Sequence, residues 1–151
     1  YSSEDAIAGV LYTSCRKVGT YRPIDDFVKY YETDRKRISQ SYKKIVRTLD
    51  LKIPPFDIIK CTNYLLKKLG LLAELEDTVS EIFERINPKK VAYSKNPFSV
   101  SAAIIYLACD EQNISMTQDM VSEAAGISSV TLRSRLREIK KELNNHSSPS
   151  N

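Results

Sequence analysis

The segment "AIAGVLYTSCRKVGTYRPIDDFV" near the start of the chain returns ninety-four residues later as "VSAAIIYLACDEQNISMTQDMV". At that offset Ala8 falls on Ala102, Tyr12 on Tyr106, Cys15 on Cys109 and Asp25 on Asp119. The register continues without a gap: Ile38 meets Leu132, Tyr42 meets Leu136, Ile45 meets Ile139 and Leu49 meets Leu143. The identities are few, but an apolar pattern kept in step from Ala8 to Leu49 constrains the fold strongly. A period this long indicates two copies of one unit and not a stacked array of short repeats.

Apolar residues at helical spacing predict three helices in the first copy, at about 5–17, 24–31 and 35–49, and the same three again over about 97–144. Between the copies, after the proline hinge "KIPP", two more are expected. One is "FDIIKCTNYLLKKL" at about 56–69, stopped by Gly70, and the other "LAELEDTVSEIFERI" at about 72–86, stopped by "NPKK". The second copy therefore has five helices. Asn96 caps its central helix and Pro97 opens it, and that helix is small and apolar all round, hence buried. The first copy lacks the leading two. Its helix at about 5–17 aligns with the buried one, so Ile7, Val10, Leu11 and Tyr12 are expected to face water unless upstream chain or another copy covers them. The fold class is all-α; only four glycines and six prolines in 151 residues agree with it.

Several functions are argued against. Cys15, Cys61 and Cys109 are odd in number and widely spaced, no CxxC pair exists, and the single histidine, His146, lies in a polar tail. Neither a metal site nor a disulfide framework is expected; buried reduced thiols in an intracellular protein are. The longest apolar run, "VSAAIIYLAC", is too short to cross a membrane, so no membrane partner is expected. Without a glycine-rich phosphate loop or a histidine in the folded region, the chain reads as no enzyme, with no small-molecule substrate. No signal peptide is read in the given residues, and the opening "YSSEDAIAG" starts mid-pattern, as expected of a fragment or a shortened paralogue. A net charge of +4 permits a polyanionic partner, and placement of the charges decides the matter.

Placement is most telling in "MTQDMVSEAAGISSVTLRSRLREI". Thr117 reads as a helix N-cap, Gly126 as the left-handed stop, and Ser129 as the next cap, which is the helix-turn-helix layout. In the second helix Leu132, Leu136, Ile139 and Leu143 share a core face. Val130, Arg133, Ser134, Arg137 and Lys141 then turn away from it. An arginine there can fork onto guanine O6 and N7, and a small apolar side chain can touch a thymine methyl. Basic residues that merely offset the dipole near a helix C-terminus would account for Lys140 and Lys141, but not for Arg133 in the first turn.

Five helices around a buried central one, duplicated and ending in a helix-turn-helix, resemble the core domain of the transcription factor IIB family. That family comprises the paired cyclin-like repeats of eukaryotic factor IIB and archaeal transcription factor B. The resembling stretches are "AGVLYTSCRKVGTYRPIDDF" and "RKRISQSYKKIVRTLDL" in the first repeat. In the second they are "NPFSVSAAIIYLAC", "TQDMVSEAAG" and "SSVTLRSRLREIKKEL". "KLGL" and the run through "LDLKIPP" lie closer to the archaeal branch. The resemblance divides the chain into residues 1–52 (the last three helices of a first repeat), 53–144 (a complete second repeat with its helix-turn-helix at 116–144) and a disordered tail, 145–151.

The resemblance implies promoter DNA, TATA-binding protein and RNA polymerase as partners, and an intracellular setting: the archaeal nucleoid, or the nucleus of a eukaryote. The family's Val-Thr-aliphatic-Arg string, which reads the element upstream of the TATA box, stands here as Val130, Thr131, Leu132 and Arg133. Val130 and Arg133 thus inherit base reading, and Arg135, Arg137 and Lys141 phosphate contact. Lys95, in a loop that lacks the family's glycine, takes a phosphate or is a solvated lysine. In the first repeat Ser39 stands where Arg133 does. Arg35, Lys36 and Arg37 oppose the dipole at a helix start, which suggests an anionic partner. Arg35, Lys36 and Lys43 are assigned to the surface facing TATA-binding protein or downstream DNA, a plain charged face being the alternative for Lys43 and Lys44. No cofactor is expected in this segment; the family's zinc ribbon belongs upstream. Two other readings stay open, a cyclin-like protein-binding module and a helix-turn-helix repressor.

Overall fold

The structure, a computed structural model, describes residues 2–87 and 96–147, with side chains through residue 145. Every described element is helical: α1 (Ser3–Val18), α2 (Ile24–Tyr31), α3 (Arg35–Thr48), α4 (Ile58–Leu69), α5 (Leu72–Arg85), α6 (Pro97–Glu111), α7 (Gln118–Ala125) and α8 (Ser129–Ser147). The chain divides into two compact units, with the boundary after Phe56. Unit 1 holds α1–α3 and the segment to Phe56; unit 2 begins at Asp57. No described helix is long and apolar enough to cross a membrane.

Backbone turns expose the duplication more plainly than side chains do. Gly19, which ends α1, is left-handed at φ 79°, and Asn113, ninety-four residues on, is left-handed at φ 56°. Glu32 after α2 (φ 50°) likewise matches Gly126 after α7 (φ 67°). The closing hydrogen bonds coincide as well. Thr20 N–H donates to Cys15 O at 2.9 Å and Ile114 N–H to Cys109 O at 2.8 Å. The amides of Thr33 and Ile127 do the same to Val28 and Ser122. Helices α2 and α7 cover matching residues, and α3 and α8 start in register.

Unit 2 is built around α6. Asn96 accepts the Phe98 N–H, Pro97 opens the helix, and every residue from Phe98 to Ile105 is buried. α4, α5, α7 and α8 pack against it. Thr62 of α4 hydrogen-bonds Ser101 of α6, hydroxyl to hydroxyl, at 2.9 Å, so both buried hydroxyls are answered. α4 starts at Ile58 and not at 56, because Asp57 caps it by accepting the amides of Ile59 and Lys60. Cys61 and Cys109 are buried, but Cys15 is only half-buried, since α1 is covered on fewer sides than α6.

Unit 1 packs α1 against α2 and α3 around Ala8, Phe27 and Ile38. Gly9 lets α1 and α3 approach closely: a Cβ there would lie 2.6 Å from Ser41 Cβ. Among the described residues Ile7 (48% exposed), Val10 (53%) and Leu11 (39%) are exposed, whereas their matches Ser101, Ile104 and Ile105 are fully buried beneath the other helices of unit 2. Tyr12 departs from the expectation that it faces water with them. It is half-buried, edge-on to Phe27 at 5.5 Å and to Tyr42 at 5.4 Å. Asp5 is buried at the α1 N-terminus, where it accepts from the Thr33 hydroxyl, from the Ser2 N–H (3.1 Å) and from Arg37 (3.1 Å). The hydroxyl of Thr33 foremost, then the Ser2 amide, hold its pKa down at about 2.

Candidate nucleic-acid interface

The helix-turn-helix begins at Thr117, whose hydroxyl accepts the Met120 N–H at 3.1 Å, with Asp119 in the first turn of α7 favouring the dipole. Val121 and Ala125 anchor α7 in the core. Gly126 turns the chain, and from α4 Lys68 donates to the Ala124 carbonyl at 3.1 Å, beside that turn. The cap of α8 is Ser128 and not Ser129. The Ser128 hydroxyl accepts the Thr131 N–H at 3.1 Å, and its carbonyl takes the first helical bond, from Leu132 N–H at 3.0 Å. A cap one residue earlier leaves Ser129 as the first residue of α8 and Val130 as the second.

Leu132, Leu136 and Ile139 are fully or almost fully buried against the core, and Leu143 is half-buried. That fixes the roll of α8. Val130 is 66% exposed, an isolated apolar side chain at the outer start of a helix. Arg133, Arg137 and Lys141 are exposed and follow at spacings of four, so they form one row running from the first turn toward the C-terminus. Chemically this face offers a small apolar contact and a guanidinium fork at one end, and a line of positive charge behind them.

Arg135 is not part of that row. Its side chain is only 12% exposed and its guanidinium pairs with Glu138 at 2.5 Å. The register of the duplication explains this: Arg135 matches Ser41, which lies at the close crossing of α1 and α3, so position 135 points inward and the charge needs a partner within the fold. The phosphate role that the resemblance gave it is therefore withdrawn. Lys95 lies outside the described residues. α8 also continues helical through Ser147, so residues 145–147 are not the start of a disordered tail.

The matching face of unit 1 carries charge without the reading arginine. On α3, Lys36, Gln40, Lys43 and Arg47 are exposed and spaced four, three and four apart, over the positions of Val130, Ser134, Arg137 and Lys141. Gln40 and Arg47 were missed from sequence, although the offset that pairs Lys43 with Arg137 also places them. Two of the three cations at the start of α3 are answered within the fold. Arg35 forks onto Asp25 at 2.9 and 3.1 Å, and Arg37 reaches both Asp5 (3.1 Å) and Asp34 (3.4 Å). The inference that this triplet calls for an anionic partner is corrected for Arg35 and Arg37; Lys36 stays in the exposed stripe.

Residues 55–142 match the family described as "Transcription factor TFIIB repeat". Among curated relatives, transcription initiation factor IIB of Ignicoccus hospitalis is 32% identical over 143 residues, which is 95% of this chain and 45% of that protein. The protein of the same name from Archaeoglobus fulgidus is 32% identical over 142 residues (94% and 44%), and that from Saccharolobus shibatae 29% over 142 (94% and 46%). The chain thus spans less than half the length of these relatives.

Proposed function

The chain belongs to the transcription factor TFIIB repeat family, and on that premise we propose that it is a promoter-binding core of a transcription initiation factor. In this reading it engages DNA already held by TATA-binding protein, reads the element upstream of the TATA box with α8, and helps recruit RNA polymerase. The shared name of its relatives supports initiation as the setting. The family is one of transcription factors and not of enzymes, so the work is scaffolding inside the cell, beside promoter DNA, and calls for no cofactor in this segment.

One observation carries the reading: Val130 and Arg133 stand exposed in the opening turns of α8, on the face opposite Leu132, Leu136 and Ile139. Recognition helices present base-reading side chains from that end in the major groove. Val130 meets a thymine methyl and Arg133 a guanine edge, while Arg137 and Lys141 set register on phosphates. In unit 1, Lys36 and Lys43 face TATA-binding protein or downstream DNA, without base reading, because Ser39 replaces the arginine.

A single recognition helix with one or two base contacts is a small module, and such modules bind weakly alone. Tight binding should need DNA bent by TATA-binding protein, so that several contacts engage at once. The test is a gel shift on TATA-containing promoter DNA with and without TATA-binding protein. A supershifted complex only in the presence of that protein is expected. Nanomolar binding to straight DNA alone would contradict the reading and favour a repressor. No complex under either condition would favour a cyclin-like protein-binding module.

A further inference from the structure

α1 ends in Arg16 and Lys17, and the segment Lys52–Phe56 lies back against that end. The Arg16 guanidinium carbon stands 3.8 Å from the Phe56 ring centroid and 5.6 Å from that of Tyr42. Tyr21 leans on Phe56 with 6.0 Å between centroids. At the other end of the segment, Lys17 Nζ donates to the Lys52 carbonyl at 2.8 Å. Pro54 and Pro55 between them close a small nook with Gly19 and Thr20 and have little backbone freedom of their own. A guanidinium against aromatic faces gains both quadrupole attraction and flat contact, which a lysine there would supply only in part.

The duplication supplies an internal control. Ninety-four residues on, Arg16 is replaced by Asp110, Lys17 by Glu111 and Tyr42 by Leu136. Unit 2 keeps the same helices without this cluster, so the shared fold does not require it. In unit 1 the cluster sits where the segment Lys52–Phe56 runs on toward Asp57. With Lys52 and Phe56 both tied, the chain leaves unit 1 only at Phe56, and Asp57 is already the cap of α4.

We propose that Arg16 and Phe56 are positioning residues, which hold the linker segment Lys52–Phe56 on unit 1, so that it adds no loose chain ahead of Asp57, where unit 2 begins. This rests on the promoter reading above, in which both units engage one DNA–protein complex. A loose linker would let the second unit search a larger volume and lower its effective concentration at the shared target. A held linker keeps that concentration high without touching DNA.

The experiment compares Arg16→Met, Phe56→Leu and Phe56→Trp with the wild-type chain. Trypsin cleavage after Lys52, followed by mass spectrometry, reads whether the linker is held. Arg16→Met and Phe56→Leu should speed that cut about tenfold, the size of change that a partly desolvated cation–π contact carries. Phe56→Trp, which keeps an aromatic face, should cut at the wild-type rate. Affinity for the TATA-binding-protein–promoter complex should fall several-fold in the first two variants, with preference among upstream bases unchanged and thermal melting confirming an intact unit 1. Unchanged cleavage, faster cleavage with unchanged affinity, or Phe56→Trp behaving like Phe56→Leu would overturn the proposal. A wild-type chain that forms no ternary complex would instead sink the promoter reading, and the cleavage comparison would still decide whether the linker is held.

Discussion

Arg133→Ala is the perturbation that separates reading a base from merely attracting DNA. Arg133 is exposed and belongs to the row that faces away from the buried Leu132, Leu136 and Ile139. Truncating it removes no core contact, and alanine is at least as good a helix former, so folding stability should hold within about 0.5 kcal/mol. The loss then appears in binding. A guanidinium forked onto one guanine discriminates by about 1–3 kcal/mol, or roughly 5- to 150-fold, at a single base pair. Arg137→Ala and Lys141→Ala, further along the row, should weaken all sequences alike and each lower the salt slope by about one unit. Arg135→Ala is the contrast: with a side chain 12% exposed and paired to Glu138, it should cost stability and leave base preference intact. The assay is competition binding of the TATA-binding-protein–promoter complex against every single-base variant upstream of the TATA box, repeated at two salt concentrations. If Arg133→Ala lost affinity equally for every upstream sequence, the base-reading role would be wrong.

Glu32 sits in the left-handed region where its counterpart is Gly126. Glu32→Gly should therefore gain about 0.5–1 kcal/mol, relief of strain outweighing the extra freedom of the unfolded chain, and a melting temperature that failed to rise would argue against strain there. Gly9→Ala sets a helix-propensity gain of about 1 kcal/mol against overpacking of about 1–3 kcal/mol. With Ser41 Cβ at 2.6 Å the clash should win, Ser41→Gly should rescue it, and a stabilised Gly9→Ala would refute the close crossing. Asp5, held at about 2 against an ordinary 3.8, contributes stability that is fully present above the unfolded value and is lost as pH falls from about 4 to about 2. The urea-unfolding gap between wild type and Asp5→Asn should shrink over that window; a gap that stayed constant would show that Asp5 does not stay ionised in the fold.

The helices were legible because their signals are local and redundant. Thr117, Gly126, Asn96 with Pro97, and Gly70 each mark an end by their own chemistry, and the ninety-four-residue register checks one copy against the other. The outward face of α8 was legible for the same reason, since Leu132, Leu136 and Ile139 fix its roll. What escaped depends on partners far apart in sequence. Nothing near Arg35 announces Asp25, and nothing near Arg37 announces Asp5, so cations that looked unanswered turned out to be paired. Arg135 resembled its neighbours in composition, and only its position on the roll of α8 leaves it 12% exposed and paired with Glu138. The duplication held a clue, since its counterpart is a small serine at a helix crossing. The latch of Arg16 on Phe56 joins residues forty positions apart, and Phe56 lies in a non-helical stretch without periodicity, so no pattern rule reaches it.

The central claim, that the start of α8 lies against the bases upstream of the TATA box, is tested most directly by crosslinking from that position. A photoreactive amino acid replacing Val130, which is exposed and outside the core, would be activated in the complex of this chain, TATA-binding protein and promoter DNA. The account predicts a crosslink to one or two adjacent bases upstream of the TATA box, lost when TATA-binding protein is left out. Crosslinks to downstream DNA, to TATA-binding protein in place of DNA, or spread evenly along the duplex would contradict it.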